Sequence, residues 1–341
     1  MRIVCVSLLV MGAWACVASA DDAAADALKA ELAASPNRIL YECYLDNNWE
    51  LSVMNADGSN QRNLTQTPEV HEHYPQASPD GTKIAFCADE QKDGQTARNI
   101  YWMNADGTGR TLVSDGARQP CWSADSKQIA FLDQEFAKLN IKDFASKGLY
   151  FYDLASKEIT KHPNEKICHL YNPTWAANGK WVVSTIHAGM GFSHGIIAVE
   201  MGGMGIFDLG IPGCRPCLSP DSARLTWSSD DRMVNAADMD WSGASPKATN
   251  VREVHSDPVL HLYHPDFSPD GKYITFSVGP GGRMPVNGPG THAELAEMVG
   301  VRGPWNLYLK RSDGTGPALQ LTTDDSTSNK ESDWLPAGTA Q

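Results

Sequence analysis

The chain has 341 residues, of which 28 are basic and 41 acidic, for a formal net charge of −13. An acidic surface repels a phosphate backbone, so no nucleic-acid partner is expected, and an anionic polysaccharide would need a local basic patch or a bridging cation.

Residues 1–20 hold one cation, Arg2, then an apolar run from Ile3 to Trp14, then small residues ending Ala18-Ser19-Ala20. This is the layout of a secretory signal peptide cleaved after Ala20. The run is shorter than the ~20 apolar residues that a membrane-spanning helix needs. Ala13-Trp14-Ala15 before Cys16 is a poor match to a lipoprotein signal. No later segment is long and apolar enough to cross a bilayer. The expectation is a periplasmic or secreted monomer that does not span the membrane. Residues 21–37 read as an alanine-rich linker.

From residue 38 the sequence turns strand-like. Segments 38–42, 49–54 and 62–65 look like the second, third and fourth strands of a repeat that lacks its first. The full repeat begins with Tyr74-Pro75-Gln76-Ala77-Ser78-Pro79-Asp80-Gly81 and continues through Lys83-Ile84-Ala85-Phe86. It returns as Gln119-Pro120-Cys121-Trp122-Ser123-Ala124-Asp125, near Asn172, near Arg215, and as His264-Pro265-Asp266-Phe267-Ser268-Pro269-Asp270-Gly271. Positions equivalent to Pro79 are Ala124, Ala177, Pro220 and Pro269, at steps of 45, 53, 43 and 49 residues. Such periods, with four strand-like segments each, are those of propeller blades. Pro-Asp-Gly supplies a tight turn, with proline presetting φ and glycine accepting a positive one. A second phrase, Asn55-Ala56-Asp57-Gly58, Asn104-Ala105-Asp106-Gly107 and Arg311-Ser312-Asp313-Gly314, marks the next hairpin. At the far end, Asp333-Trp334-Leu335-Pro336 is a first strand and turn with no second strand after it. Joined to 38–65 it completes a sixth blade. The expected fold is all-β, a six-bladed propeller over residues 38–338 with a tail of 339–341.

These phrases, x-W/F-S-P-D-G-x-x-I-A-F with N-A-D-G downstream, resemble the propeller domain of TolB and the wider TolB-like, WD-related repeat group. TolB carries an additional α/β domain before its propeller, whereas here only the alanine-rich stretch separates the predicted signal from the first strand.

Six cysteines follow the predicted cleavage point: Cys43, Cys87, Cys121, Cys168, Cys214 and Cys217. Sequence cannot choose among their pairings. Cys214-Arg215-Pro216-Cys217 has redox spacing but enters a strand, where active dithiols open a helix. Leu218 stands where a haem-attachment motif needs histidine.

Strand order places the linkers between blades, and the loops between second and third strands, on one end of the ring. All ten histidines map there: His71, His73, His162, His169, His255, His261 and His264 around linkers, and His187, His194 and His292 in loops. The opposite face reads as tight turns only. His71, His169 and His261 occupy one repeat position in alternate blades, which suggests a Zn or Mn site. The plain alternative is that each hydrogen-bonds nearby backbone. A polar ring, Tyr74, Gln119, Asn172, Arg215, His264 and Glu331, is expected just before the first strands. Long loops at 279–304 and 134–147 lie on the same face, and Trp122 and Trp175 read as packing between blades.

Two functions follow from this reading. One is a non-catalytic module binding an envelope protein, peptide or glycan through the histidine-rich face. The other is a metal-dependent polysaccharide lyase resembling oligogalacturonate lyase, sharing with it only a histidine-rich propeller face.

Overall fold

The computed structural model describes residues 20–133, 147–280, 303–324 and 327–338. They form six four-stranded antiparallel sheets. From the inner strand outward, blade A is His71–Ala77, Lys83–Lys92, Gln95–Asn104 and Thr111–Ser114. Blade B is Ala117–Trp122, Gln128–Asp133, Leu149–Asp153 and Ile159–Lys161. Blade C is Leu170–Trp175, Trp181–Gly189, Phe192–Glu200 and Ile206–Asp208. Blade D is Cys214–Leu218, Arg224–Ser228, Met233–Asp240 and Lys247–Ser256. Blade E is His261–Phe267, Tyr273–Gly279, Asn306–Arg311 and Leu319–Gln320. Blade F joins the two ends of the ring. Its inner strand Ser328–Leu335 pairs with Arg38–Leu45, setting Ile39 opposite Trp334, and Asn48–Asn55 and Arg62–Asn63 complete it.

The recurrent Ser-Pro-Asp-Gly turn has a local cause. In blade A the Ser78 hydroxyl donates to Asp80 (2.6 Å) and accepts the Lys83 amide (2.9 Å), while the Gly81 amide donates to the Ser78 carbonyl (2.8 Å). Gly81 adopts φ +69, and a Cβ there would lie 2.3 Å from the Pro336 carbonyl of blade F, so only glycine fits. Ser123 and Asp125, Ser219 and Asp221, and Ser268 and Asp270 repeat the hydroxyl–carboxylate contact.

The core is divided in the same sixfold way. Each hydrophobic cluster lies between two neighbouring blades, as where Ile100 and Tyr74 of blade A meet Trp122, Ile129 and Phe131 of blade B. Trp122 donates its indole N–H to the Gln76 carbonyl of the preceding blade (2.8 Å), and Trp175 packs on Phe151 at 5.4 Å. Both therefore pack between blades, as their repeat position implies.

The stretch read as a linker is structured. Ala20–Ala33 is helix α1, with Asp21 and Asp22 in its first turn. Leu28 and Leu32, one turn apart, are buried against Ile39, Tyr273, Leu307, Leu321 and Trp334 at the junction of blades E and F. Glu31 pairs with Arg311 (2.6 Å) and accepts a hydrogen bond from the Tyr273 hydroxyl.

Candidate functional site

The six residues of the predicted polar ring converge on one place, but they sit within the inner strands and not before them. In every blade the pairing register slips at this point, leaving an Xaa-Pro pair, or Glu331-Ser332 in blade F, bulged out of the ladder. Tyr74, Gln119, Asn172, Arg215, His264 and Glu331 all have φ between +49 and +57. Such a conformation costs a non-glycine residue on the order of 1–3 kcal/mol and persists only where the surroundings impose it. Proline suits the next position because a bulge leaves its missing N–H without a ladder partner to lose.

The surroundings that impose the bulge belong to the neighbouring blade. The freed amide N–H of Tyr74 donates to Glu42 (3.3 Å), that of Gln119 to Cys87 Sγ (3.3 Å), that of Arg215 to Thr185 Oγ1 (2.9 Å) and that of Glu331 to Ser277 Oγ (3.1 Å). These acceptors share one repeat position on the second strand of the preceding blade. Blade B has Leu132 there, which cannot accept, and the side chain of Gln119 takes its place by accepting from Asn172 N (3.0 Å). The ring is thus a set of clasps between blades.

The clasped residues line the central channel around a cavity of about 80 Å³. Arg215 is its one arginine: the guanidinium lies 4.1 Å over the Tyr263 ring and Nη1 donates to Cys214 Sγ at 2.7 Å. His264 Nε2 stands 2.6 Å from Glu331 Oε1, and its Nδ1 lies 3.2 Å from Ser277 Oγ. The channel therefore presents an arginine, a histidine–carboxylate pair, two amides and a phenol.

One turn lower is a second ring that sequence reading missed: Gln76, Cys121, Thr174, Cys217, Asp266 and Asp333, each two residues after a bulged residue. The same repeat alignment that exposed the upper ring contains this column. Asp333 accepts the Ala77 amide (2.6 Å), and Cys217 donates its S–H to Asp266 (2.6 Å). Burial, then the charge of Asp266 and a hydrogen bond to it, push the Asp333 carboxyl well above the usual carboxylate range. Burial, followed by Asp266, raises the Cys217 thiol well above its usual range. It stays a thiol, which removes the chemistry that its spacing from Cys214 suggested. No disulfide joins the six cysteines of the described residues.

The turn face is more than tight turns. Below the second ring the channel opens into a funnel of about 250 Å³ walled by Trp122, Trp175, Phe267 and Trp334, with Asp266 and Asp333 at its neck.

The histidines are not gathered. His71 accepts the Trp49 amide (3.2 Å), His261 Nδ1 is 2.9 Å from the Tyr263 hydroxyl, and His169 is buried beside the hairpin of blade C. Among the described residues no three His, Cys, Asp or Glu side chains are grouped to hold a metal ion, so these three do not form the coordination set that their repeat position suggested. His162 is buried with Nε2 2.8 Å from the Glu200 carbonyl of blade C, and His255 packs on Phe276 of blade E. His73 is fully buried between Glu42 and Asp89. His187 and His194 pair on the blade C hairpin. His292 and most of the two long loops lie outside the described residues.

Fold and channel together define a six-bladed β-propeller of four-stranded blades. No family model matches the chain. A putative TolB from Agrobacterium tumefaciens superposes with a TM-score of 0.56 at 16% identity, over 88% of this chain and 99% of that one. Hydrazine synthase of Kuenenia stuttgartiensis superposes at 0.62 with 12% identity, over 91% of this chain and 48% of that one. In sequence, the chain is 23% identical over 251 residues to the uncharacterized peptidase YuxL of Bacillus subtilis, which is 69% of this chain. It spans only 31% of that peptidase's length. Among the described residues no helix is long and apolar enough to cross a membrane.

Proposed function

We propose that the protein is an exported, non-catalytic binding module whose central channel receives a polar side chain or chain end of an envelope protein or peptide. The observation that supports this reading is the upper ring, where six polar side chains from six blades surround one cavity of about 80 Å³. At about 30 Å³ per water, that space suits a group of a few heavy atoms better than a sugar ring with its hydroxyls. Arg215 is the one arginine in the cavity wall and is the cation offered to an incoming carboxylate. The strained backbone at all six positions fits a site organised before its ligand arrives. A glycan is the second reading for the opposite mouth, where the funnel of about 250 Å³ has indole walls on which a sugar ring stacks.

The test is selection of a displayed library of random heptapeptides on the immobilised protein, followed by affinity measurement of the enriched sequences. Peptides rich in acidic or free carboxyl-terminal groups are expected, and Arg215→Ala should weaken them at least roughly tenfold. Enriched peptides that bind Arg215→Ala and Glu331→Gln as tightly as the parent would overturn the channel as their site. Loss confined to Trp122→Ala and Trp175→Ala would move the site to the funnel.

A further inference from the structure

The hairpin joining the second and third strands of blade C carries features that the channel does not use. Its turn residues Met190 and Gly191 have φ +52 and +90, both positive, as a two-residue type I′ turn requires, and Gly189 pairs with Phe192 across it. Register then sets His187 opposite His194. Their Nδ1 atoms are 3.0 Å apart and their ring centroids 4.6 Å apart. Tyr171 and His187 pack nearly perpendicular with ring centroids 4.5 Å apart, which restrains that imidazole, while His194 is exposed.

We propose that His187 and His194 form a two-imidazole chelate for a late transition-metal dication, Cu²⁺ or Zn²⁺, completed by water. The separation is the argument. A metal bonded to imidazole nitrogen at about 2.0–2.1 Å holds two ligands at right angles roughly 2.9 Å apart, and tetrahedral ligands roughly 3.4 Å apart. The observed 3.0 Å falls between these values before any metal is added. One Nδ1 donates its hydrogen to the other in this pair, and metal binding requires that proton to move to Nε2, which leaves an Nδ1 lone pair on each ring facing the ion. The turn is closed in two residues, and Ala188 and Gly189 before it also have positive φ, +66 and +112. His169 is the next histidine in the row, since the His187 amide donates to its carbonyl at 3.2 Å. Imidazole ligands rank Cu²⁺ above Zn²⁺ and far above Mg²⁺ or Ca²⁺, which prefer oxygen.

The whole protein, stripped of metal by chelator, would be titrated calorimetrically with Cu²⁺ and with Zn²⁺, and with Mg²⁺ and Ca²⁺ as controls. One equivalent of Cu²⁺ should bind, with a two-nitrogen pattern in its electron paramagnetic resonance spectrum. His187→Gln and His194→Gln should each weaken it at least roughly tenfold, because a single imidazole no longer chelates. His261→Gln should leave it unchanged. His194 is exposed, so its variant should fold, and an unaltered melting temperature without metal verifies this. Copper binding unaffected by His194→Gln, or no equivalent bound by the parent protein, would overturn the proposal.

Discussion

Glu42 and Glu72 show how much a single buried carboxyl depends on its partner. Glu42 meets the ammonium of Lys330 and lies 3.2 Å from His73, which stands against the Asp89–Arg98 pair, so that buried charges stitch blade F to blade A. Burial alone would raise the Glu42 pKa, but Lys330 and then His73 outweigh it and hold it at about 2. Its folded value lies below the ordinary 4.5, so its stabilisation is present above pH 4.5 and is lost as pH falls toward 2. Glu42→Gln leaves Lys330 buried without a counter-charge, at a cost of about 3–5 kcal/mol, and should lower the melting temperature by roughly 10 °C. Glu72 behaves oppositely. It is fully buried, and burial lifts it to about 7 despite bonds from Thr67 and Arg110. A raised carboxyl penalises the fold as pH rises from 4.5 through 7, so Glu72→Gln should match the parent at pH 4.5 and exceed its stability by on the order of 2 kcal/mol at pH 8. Urea denaturation at the two pH values measures this, and equal differences at both would refute it. Neither glutamate is distinguishable in the sequence, because burial depends on the neighbouring blade, and Glu42 owes its pairing to a lysine at the other end of the chain.

Among elements, the inner strands were readable as strands but not as bulged strands. The repeated Xaa-Pro marks the place, since proline within a strand signals an edge or a bulge, yet the register slip that aims Xaa into the channel emerges only when blades meet. The histidines fail as a group for a related reason. Strand order gives a residue's height along the axis, while its distance from the axis depends on which strand carries it. His255 lies in the outermost strand of blade D and His162 directly follows that of blade B, so both wedge between blades, far from a shared centre. Helix α1 was read as linker because its apolar seam is only Leu28 and Leu32 in a run of alanine, although alanine and an acidic first turn are themselves helix signals. The helix should be a separable unit. Leu32→Asp places a charge in the cluster beneath blades E and F, and is expected to expose the backbone from Ala20 to Ala33 to rapid hydrogen exchange and limited proteolysis. Protection in the six sheets should persist. A helix that stays protected in this variant would show that the leucine seam does not hold it.

At the scale of the molecule, closure is the step on which the ring depends, and the two half-repeats made it legible before any contact was known. The pairing of Ser328–Leu335 with Arg38–Leu45 joins segments some 290 residues apart. Closing so long a loop costs roughly 5 kcal/mol in chain entropy beyond a constant, because the penalty grows only with the logarithm of length. Set against it are the buried side chains of Trp334 and Leu335, the clasp from Asp333 to the Ala77 amide, and the Lys330–Glu42 pair. Each is a contact between chain ends that no other blade can replace. Removing residues 333–341 deletes the first two and leaves Arg38–Leu40 without the segment that they pair with. The loss of one buried tryptophan alone is typically about 3–5 kcal/mol. The truncated protein should therefore melt at least roughly 10 °C lower, with hydrogen exchange accelerating first in the remaining strands of blade F and the face of blade A that packs on it. Trp334→Ala, which keeps the backbone pairing, should show a smaller fall in the same blades. A truncated chain with an unchanged melting temperature would mean that blade F is held by its own hairpin and by α1, and that the closing strand only fills the ring.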